Sequence, residues 1–274
     1  METAKPFTVA IAQTPPVPLD LDASLEKACA WIAEAGRRGA ALVVFPETWL
    51  PVYPFWCDGG TFGRWEHAPS KRLHRRLIES SPRVPSPATE RLGAAARDAG
   101  VAVVMGANER DGGTLYNALL FFDRDGHLTG HRRKLVPTHG ERLVWAHGDA
   151  ADLDAWPLTG PDGPLVGGLI CWEHWMPLPR QVLHAAGEEI HVAAWPHGAE
   201  RHQIASRHYA FEGRCYVLAA ALFLNRADLP ADFELADDLD GEVILDGGSA
   251  VIGPDGRYVV EPVHGREELI VADR

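Results

Sequence analysis

The sequence predicts a mixed α/β fold in which two sheets pack face to face and helices cover their outer sides. Three observations lead there. Short apolar, β-branched runs alternate with segments of helical periodicity along nearly the whole chain. The strands so read are both buried and half-buried, and are too many for one modest sheet, so two packed sheets bury them all. No internal repeat and no linker divides the 274 residues, which gives a single domain over 1–274. An apolar content of 46% can supply its core.

Taken in order, FTVAIAQ (7–13) is the first strand. Asp22 to Gly39 follows as an amphipathic helix, with Leu25, Ala28, Cys29, Ile32 and Ala33 on one face and Gly36 or Gly39 near its end. ALVVF (41–45) is a second buried strand, and the aromatic, proline-rich stretch 48–70 reads as an insertion. The basic cluster KRLHRR (71–76) reads as a solvated helix face. Ser86-Pro87 has the form of an N-cap and an N1 proline opening a helix to about Ala99. VAVVMGA (101–107), YNALLFF (116–122) and HLTGHRR (127–133) are strands, the last two joined by a turn over Asp123 to Gly126. LVGGLI (165–170), IHVAAW (190–195) and YVLAAA (216–221) are further strands, separated by helices from about Leu178 to Ala186 and Glu200 to Gly213. The stretch 227–246 holds eight acids and no base, which predicts an exposed loop. SAVIG (249–253), the turn Pro254-Asp255-Gly256 and a last strand, ELIVA (268–272), follow.

The 26 basic residues stand against 38 acidic ones, a net charge of −12, which argues against nucleic acid or an anionic membrane as partner. The opening METAKPFTVAIAQTPP passes into a strand without the basic and apolar regions of a secretory leader. The longest apolar stretch, YVLAAALFL (216–224), falls far short of the roughly 18–20 residues that span a bilayer. Four cysteines in a chain of this size do not make a disulfide framework. A soluble protein of a reducing, cytoplasmic compartment is the expectation.

Cys29 on a helix face and Cys215 beside an apolar strand read as small buried hydrophobes. Cys171 differs. In GGLICWEHWMPLPR (167–180) an apolar strand ends on it and breaks at once into Trp172, Glu173, His174 and Trp175. Its C-x-x-H spacing to His174 lacks the second ligand pair that zinc requires, and His197, His202 and His208 are spaced so as not to share one helical face, so no metal is expected. The absence of C-x-x-C sets aside a thioredoxin-type role. What remains is a nucleophile. A thiol of ordinary pKa, about 8.5, is mostly protonated at neutral pH and needs a base or a cation nearby.

Glu47 offers the base. In VVFPETWLPVYPFW (43–56) it follows a strand and a proline, at the edge where open α/β sheets place their ligands. Its neighbours Phe45, Trp49 and Leu50 point to partial burial and a raised pKa, which suits proton abstraction. HRRKLVPTHGERLVW (131–145) offers the cation, with Arg132, Arg133 and Lys134 all available and spacing alone unable to choose among them. Glu141 lies in a turn beyond them.

Together, Phe-Pro-Glu after a strand, Arg-Lys-Leu before Pro-Thr and Glu-Arg, and Cys-Trp-Glu-His before Met-Pro-Leu resemble the nitrilase superfamily of carbon–nitrogen hydrolases, its nitrilase branch most. YAFEGRCYVLAA (209–220) and GGSAVIGPDG (247–256) extend the likeness over nearly the whole chain. The resemblance implies a four-layer α-β-β-α sandwich of two mixed sheets flanked by helices. It implies a catalytic triad of Glu47, Lys134 and Cys171, with Glu141 as an assisting second glutamate. The implied activity is hydrolysis of a small organic nitrile by water to a carboxylic acid and ammonia, through thioimidate and thioester intermediates and with no metal or organic cofactor. The alternatives are an aliphatic amidase or carbamoylase with the same triad, and nitrile hydration that stops at the amide. A non-catalytic scaffold is disfavoured, because all four reactive positions hold competent residues.

Trp172, Tyr53 and Trp195 are candidate substrate-binding walls, with Phe55 and Trp56 beside them. His174 reads as an orienting or core imidazole rather than a base, and His197 as a residue that could face the pocket. The chain stops at Arg274, straight after its last strand, whereas nitrilases resembling it continue into a tail that contacts neighbouring subunits. A homodimer or small closed oligomer, joined through the outer helices as is common in the family, is therefore expected.

Overall fold

The computed structural model describes residues 7–273; the first six residues, where the reading for a leader begins, and Arg274 lie outside it. Along the chain run β1 (Val9–Gln13), α1 (Leu21–Arg37), β2 (Leu42–Val44), α2 (Ala68–Ser80), α3 (Pro87–Ala99), β3 (Ala102–Asp111), β4 (Thr114–Phe122) and β5 (Leu128–Arg133). The second half holds β6 (Val166–Ile170), α4 (Pro177–Ala185), β7 (Ile190–Trp195), α5 (Glu200–Gly213), β8 (Tyr216–Ala221), β9 (Phe223–Asn225), β10 (Val243–Ile252), β11 (Tyr258–His264) and β12 (Glu268–Ala272). They form two mixed sheets, ordered β12-β1-β2-β3-β4-β5 and β11-β10-β8-β7-β6, with β9 added to β10.

Side-chain alternation along the first sheet decides what each face packs against. Ala10, Ala12, Val43, Phe45, Val103, Met105, Leu120 and Phe122 join Leu25, Ala28 and Ile32 of α1 and Leu92 and Ala96 of α3 in one core. The alternate residues Val9, Ile11, Leu42, Val44, Val104, Leu119 and Phe121 meet the second sheet, through residues such as Val192, Val217, Ala219 and Ile252, in another. The result is the α-β-β-α sandwich, with the sheets in the middle.

Local chemistry sets the helix ends. Asp20 caps α1 by accepting from the Ala23 N–H at 3.0 Å. Pro87 occupies the first turn of α3, the Ser86 N–H donates to Thr89 Oγ1 at 2.9 Å, and Gly100 closes the helix at φ 66°. Cys29, expected on the buried face of α1, is only half-buried and lines a groove between α1 and α3. The stretch 227–246 is not simply exposed either. Phe233 and Leu235 are buried, and Arg76, from the basic cluster on α2, pairs with Asp232 and Glu234 at 3.2 and 2.9 Å. Among the described residues no helix is long and apolar enough to cross a membrane.

Candidate active site

Glu47 lies just past the end of β2, where the chain turns inward. Thr48 takes φ 42°, and Gly106 on β3 lets the two backbones approach so closely that any β-carbon there would strike the Pro46 carbonyl. The Glu47 side chain is completely buried. Lys134 lies just past β5, its N–H bonded to the Asn117 carbonyl of β4 at 2.7 Å. Its Nζ donates to Glu47 Oε1 at 2.9 Å and to Glu141 Oε2 at 2.6 Å. Glu141, in a short helical turn over His139–Leu143, also accepts from the Tyr53 hydroxyl at 3.0 Å and from the Thr138 N–H at 2.7 Å.

Cys171 immediately follows β6. It holds φ 51°, a left-handed conformation that costs a side-chain-bearing residue of order 1–3 kcal/mol. The strain turns the sulfur off the strand toward the other three groups. Donor atoms of Glu47, Glu141 and Cys171 lie within 4.8 Å of one another. Among the described residues these three also have the spacing of a metal-binding group, but the Lys134 ammonium already bonds both carboxylates and supplies the positive charge that a cation would.

Two neighbours pin the strained turn. Glu173 accepts from the Ile170 N–H and the Leu135 N–H, each at 2.7 Å, and is held by a two-pronged ion pair with Arg132 at 2.7 and 2.8 Å. One carboxylate thus ties the cysteine turn to the lysine segment. His174 Nδ1 donates to the Cys171 carbonyl at 2.7 Å. Sequence reasoning assigned neither role to Arg132 or Glu173. The signal was there, since strand alternation turns Arg132 inward and a buried guanidinium demands an acid.

The three candidate cations are thereby separated. Arg132 serves Glu173, Arg133 pairs with Glu109 and Asp111 toward the surface, and Lys134 alone reaches the cysteine cluster. Of the expected walls, Tyr53, Phe55, Trp172 and His197 line a cavity of about 450 Å³ that reaches Cys171 and Glu141. Trp195 does not. It is fully buried, stacks on His174 at 4.5 Å and donates its indole N–H to Ser206, so it fills the core behind the cysteine. Trp56 is buried against Phe55 and Phe233 and is likewise absent from the cavity wall. A larger groove of about 650 Å³, between α1 and α3, carries none of the clustered groups.

Burial raises the Glu47 carboxyl to about 7, against the lowering effect of Lys134 and of the Asn117 amide. Burial alone would lower the Lys134 ammonium, but Glu47, Cys171 and Glu141 outweigh it and hold the charge. Burial and the Glu47 charge push the Cys171 thiol well up, more than Lys134 and the Trp172 N–H pull it down. The resting sulfur is therefore a thiol, which could act as a nucleophile only with a base beside it. Asn117 Nδ2, at 2.7 Å, and Lys134 both bond Glu47 Oε1, whereas Oε2 is buried with no partner. That oxygen is free to take a proton.

Two face-to-face sheets bring a cysteine, an ammonium and two carboxylates together, a set with the chemistry of a cysteine-dependent hydrolase. A model of the carbon–nitrogen hydrolase family matches residues 8–274, and the chain belongs to that family. An aliphatic nitrilase of Sinorhizobium fredii is 38% identical over 97% of this chain and 86% of its own length. A bifunctional nitrilase/nitrile hydratase of Nicotiana tabacum is 39% identical over 96% of this chain and 76% of its own. Among solved structures, an amidase of Nesterenkonia sp. AN1 superposes with a TM-score of 0.72 at 19% identity, over 98% of this chain and 93% of that one, which establishes the shared fold.

Proposed function

We propose that this protein is a nitrilase that uses Cys171 as nucleophile, Glu47 as general base and Lys134 as the fixed positive charge. The observation that carries the reading is the division of labour at Glu47, a member of the cysteine cluster, with Oε1 bound by Asn117 and Lys134 and Oε2 without a hydrogen-bond partner. The named nitrilases at 38–39% identity favour a nitrile over an amide as substrate.

Cys171 Sγ attacks the nitrile carbon while Glu47 Oε2 takes the thiol proton. Negative charge gathers on the nitrile nitrogen, where the Lys134 ammonium and the Trp172 backbone N–H stabilise it. The nitrogen then takes that proton from Glu47, which restores the carboxylate and completes the thioimidate. Glu47 next removes a proton from a water that adds to the same carbon, and the C–N bond breaks with ammonia as leaving group. A second water cleaves the remaining thioester, releasing the carboxylic acid and returning the proton to sulfur. If the C–S bond breaks first in the tetrahedral intermediate, the product is the amide. Glu141 holds Lys134 charged and in place, and Tyr53, Phe55 and Trp172 wall the acyl pocket.

The test is incubation of purified protein with matched nitriles and amides, with ammonia and product acid both measured. Ammonia from the nitrile, together with a thioimidate or acyl mass on Cys171, supports the reading. Rapid turnover of the amide beside an inert nitrile makes the protein an amidase. A reducing, cytoplasmic setting suits a site that works only with a free thiol at Cys171, and pairing of two copies through α4 and α5 completes the reading.

A further inference from the structure

Behind the cysteine runs a closed chain of buried side chains that the mechanism above does not use. From the Cys171 carbonyl it passes to His174 Nδ1 at 2.7 Å, from His174 Nε2 to His191 Nε2 at 3.0 Å, and from His191 Nδ1 to Glu188 Oε2 at 3.0 Å. The Tyr209 hydroxyl donates to Glu188 Oε1 at the far end. All four side chains are buried.

With both imidazoles neutral, the state their complete burial favours, the direction of every bond follows from its first member. A carbonyl oxygen only accepts, so His174 Nδ1 carries a proton. A neutral His174 must then accept at Nε2, so His191 donates from its Nε2 and accepts at Nδ1. The only group at Nδ1 is Glu188, whose Oε2 and Oε1 lie 3.0 and 3.1 Å away; since Oε1 accepts from Tyr209, Oε2 must donate and therefore bears a proton. We propose that Glu188, held as a neutral carboxylic acid, is a positioning residue that orients the Cys171–Trp172 peptide through His191 and His174.

The peptide group is planar, so fixing the Cys171 carbonyl fixes the Trp172 N–H on the opposite side of the same plane. That N–H is the backbone donor for the charge that develops on the substrate, and its aim matters most in the transition state. Cys171 in its left-handed conformation needs such over-determination.

The surroundings agree with a neutral acid. Tyr209 on α5, His191 on β7, His184 on α4 at 3.8 Å and the Cys215 thiol ahead of β8 face Glu188. Among the described residues no arginine or lysine pairs with it. Gly167 on β6 makes its room, because any β-carbon there would strike Glu188 Oε2. Burial raises the Glu188 carboxyl to about 8 and lowers both imidazoles well below their ordinary value.

The inference rests on the cysteine-nucleophile reading of the site. Its test compares the parent with Glu188→Gln and Glu188→Ala on a nitrile, or on the matched amide if that is the substrate. A glutamine amide donates to His191 and accepts from Tyr209 as the protonated acid does, so E188Q keeps kcat within about 3-fold of the parent by the isosteric argument. E188A loses about 10²-fold in kcat, the scale of a misplaced reacting group, with KM little changed. The parent's kcat falls as pH rises through about 8, where Glu188 loses its proton, and E188Q lacks that limb. Nitrogen NMR of histidine-labelled parent at pH 7 reads the tautomers without any variant: Nδ1–H for His174 and Nε2–H for His191.

An active parent whose E188A variant keeps kcat overturns the inference, as do an E188Q as damaged as E188A or a His191 imidazolium in the spectrum. A parent inert toward nitriles and amides alike fails the functional reading instead, and the tautomers still decide whether Glu188 is neutral.

Discussion

Glu47 sends its two oxygens into different surroundings, and the proposed reaction depends on the difference. Oε1 accepts from Asn117 and Lys134, while Oε2 is buried without a hydrogen-bond partner. Catalysis needs the carboxylate, so kcat/KM rises with pH along an acid limb near 7, the value to which burial raises this group. The limb belongs to the interacting cluster, not to one residue. Removing the Asn117 donor withdraws a hydrogen bond from the charged form, so Asn117→Ala moves that limb to higher pH; a limb that stays put on full pH–rate profiles would assign the base elsewhere. Cys171→Ala lowers ammonia release by roughly 10⁴-fold or more, as loss of a triad nucleophile does, measured on enzyme free of parent contamination. Glu47 and Cys171 were legible because each follows a buried strand that breaks at once into polar or aromatic residues. Lys134 was not separable from its neighbours on spacing. Strand alternation puts residues 132 and 134 on one side and 133 on the other, which leaves two inward cations, and only the partner Glu173 tells them apart. Asn117 passed as one polar residue in an apolar strand.

Between elements, the Arg132–Glu173 pair is the joint that keeps the lysine segment and the cysteine turn in register. Both partners are buried, and Glu173 also holds two backbone N–H groups, one on each side of the joint. Burial alone would raise the Glu173 carboxyl, but Arg132 and those N–H groups hold it below the ordinary range. Glu173→Ala leaves a guanidinium uncompensated in the interior and costs about 3–5 kcal/mol of stability, visible as a lowered midpoint in denaturant. Activity falls with it, because the Lys134 and Cys171 backbones lose their common anchor. Equal stability of parent and variant would mean that the pair is dispensable. At this scale most of the architecture could be read from the chain. The N-cap and proline at Ser86-Pro87 and the span Glu200–Gly213 emerge as the sequence predicts. What escaped has a physical reason. Of α2 only the solvated face at 71–76 was read and not its extent, Ala68–Ser80, because its apolar stripe is thin, Leu73 and Leu77, and acids far along the chain support it. Pro262 interrupts the pattern of β11, which only an edge strand tolerates. With three residues, β9 is too short to show a period.

On the scale of the molecule, the site exists because one sheet ends beside the other: Glu47 and Lys134 leave β2 and β5 of the first, and Cys171 leaves β6 of the second. No local pattern encodes that meeting, since the stacking of two sheets is a tertiary property, and before the structure only the likeness to a family placed the three groups together. The same limit applies to Trp195, whose strand-end position resembles that of Cys171 but whose side chain turns into the core. The outer layer behind the second sheet carries a further consequence. Leu178 and Val182 on α4 are 78% and 45% exposed, and Ile204 and Phe211 on α5 are 57% and 54% exposed. An Arg180–Glu212 ion pair at 2.7 Å links the two helices, so these side chains belong to one layer. Large exposed apolar side chains on neighbouring helices have the chemistry of a surface that another protein covers, and the second copy proposed above, related by a two-fold axis, is the simplest cover. The parent is therefore expected to show, by light scattering after size exclusion, twice the mass of its 29.9 kDa chain. Ile204→Glu combined with Phe211→Glu places two carboxylates on each side of that contact, where they repel across the axis and cannot be desolvated cheaply. The double variant should elute as a monomer with its circular dichroism intact, and an unchanged dimer mass would move the interface to another face.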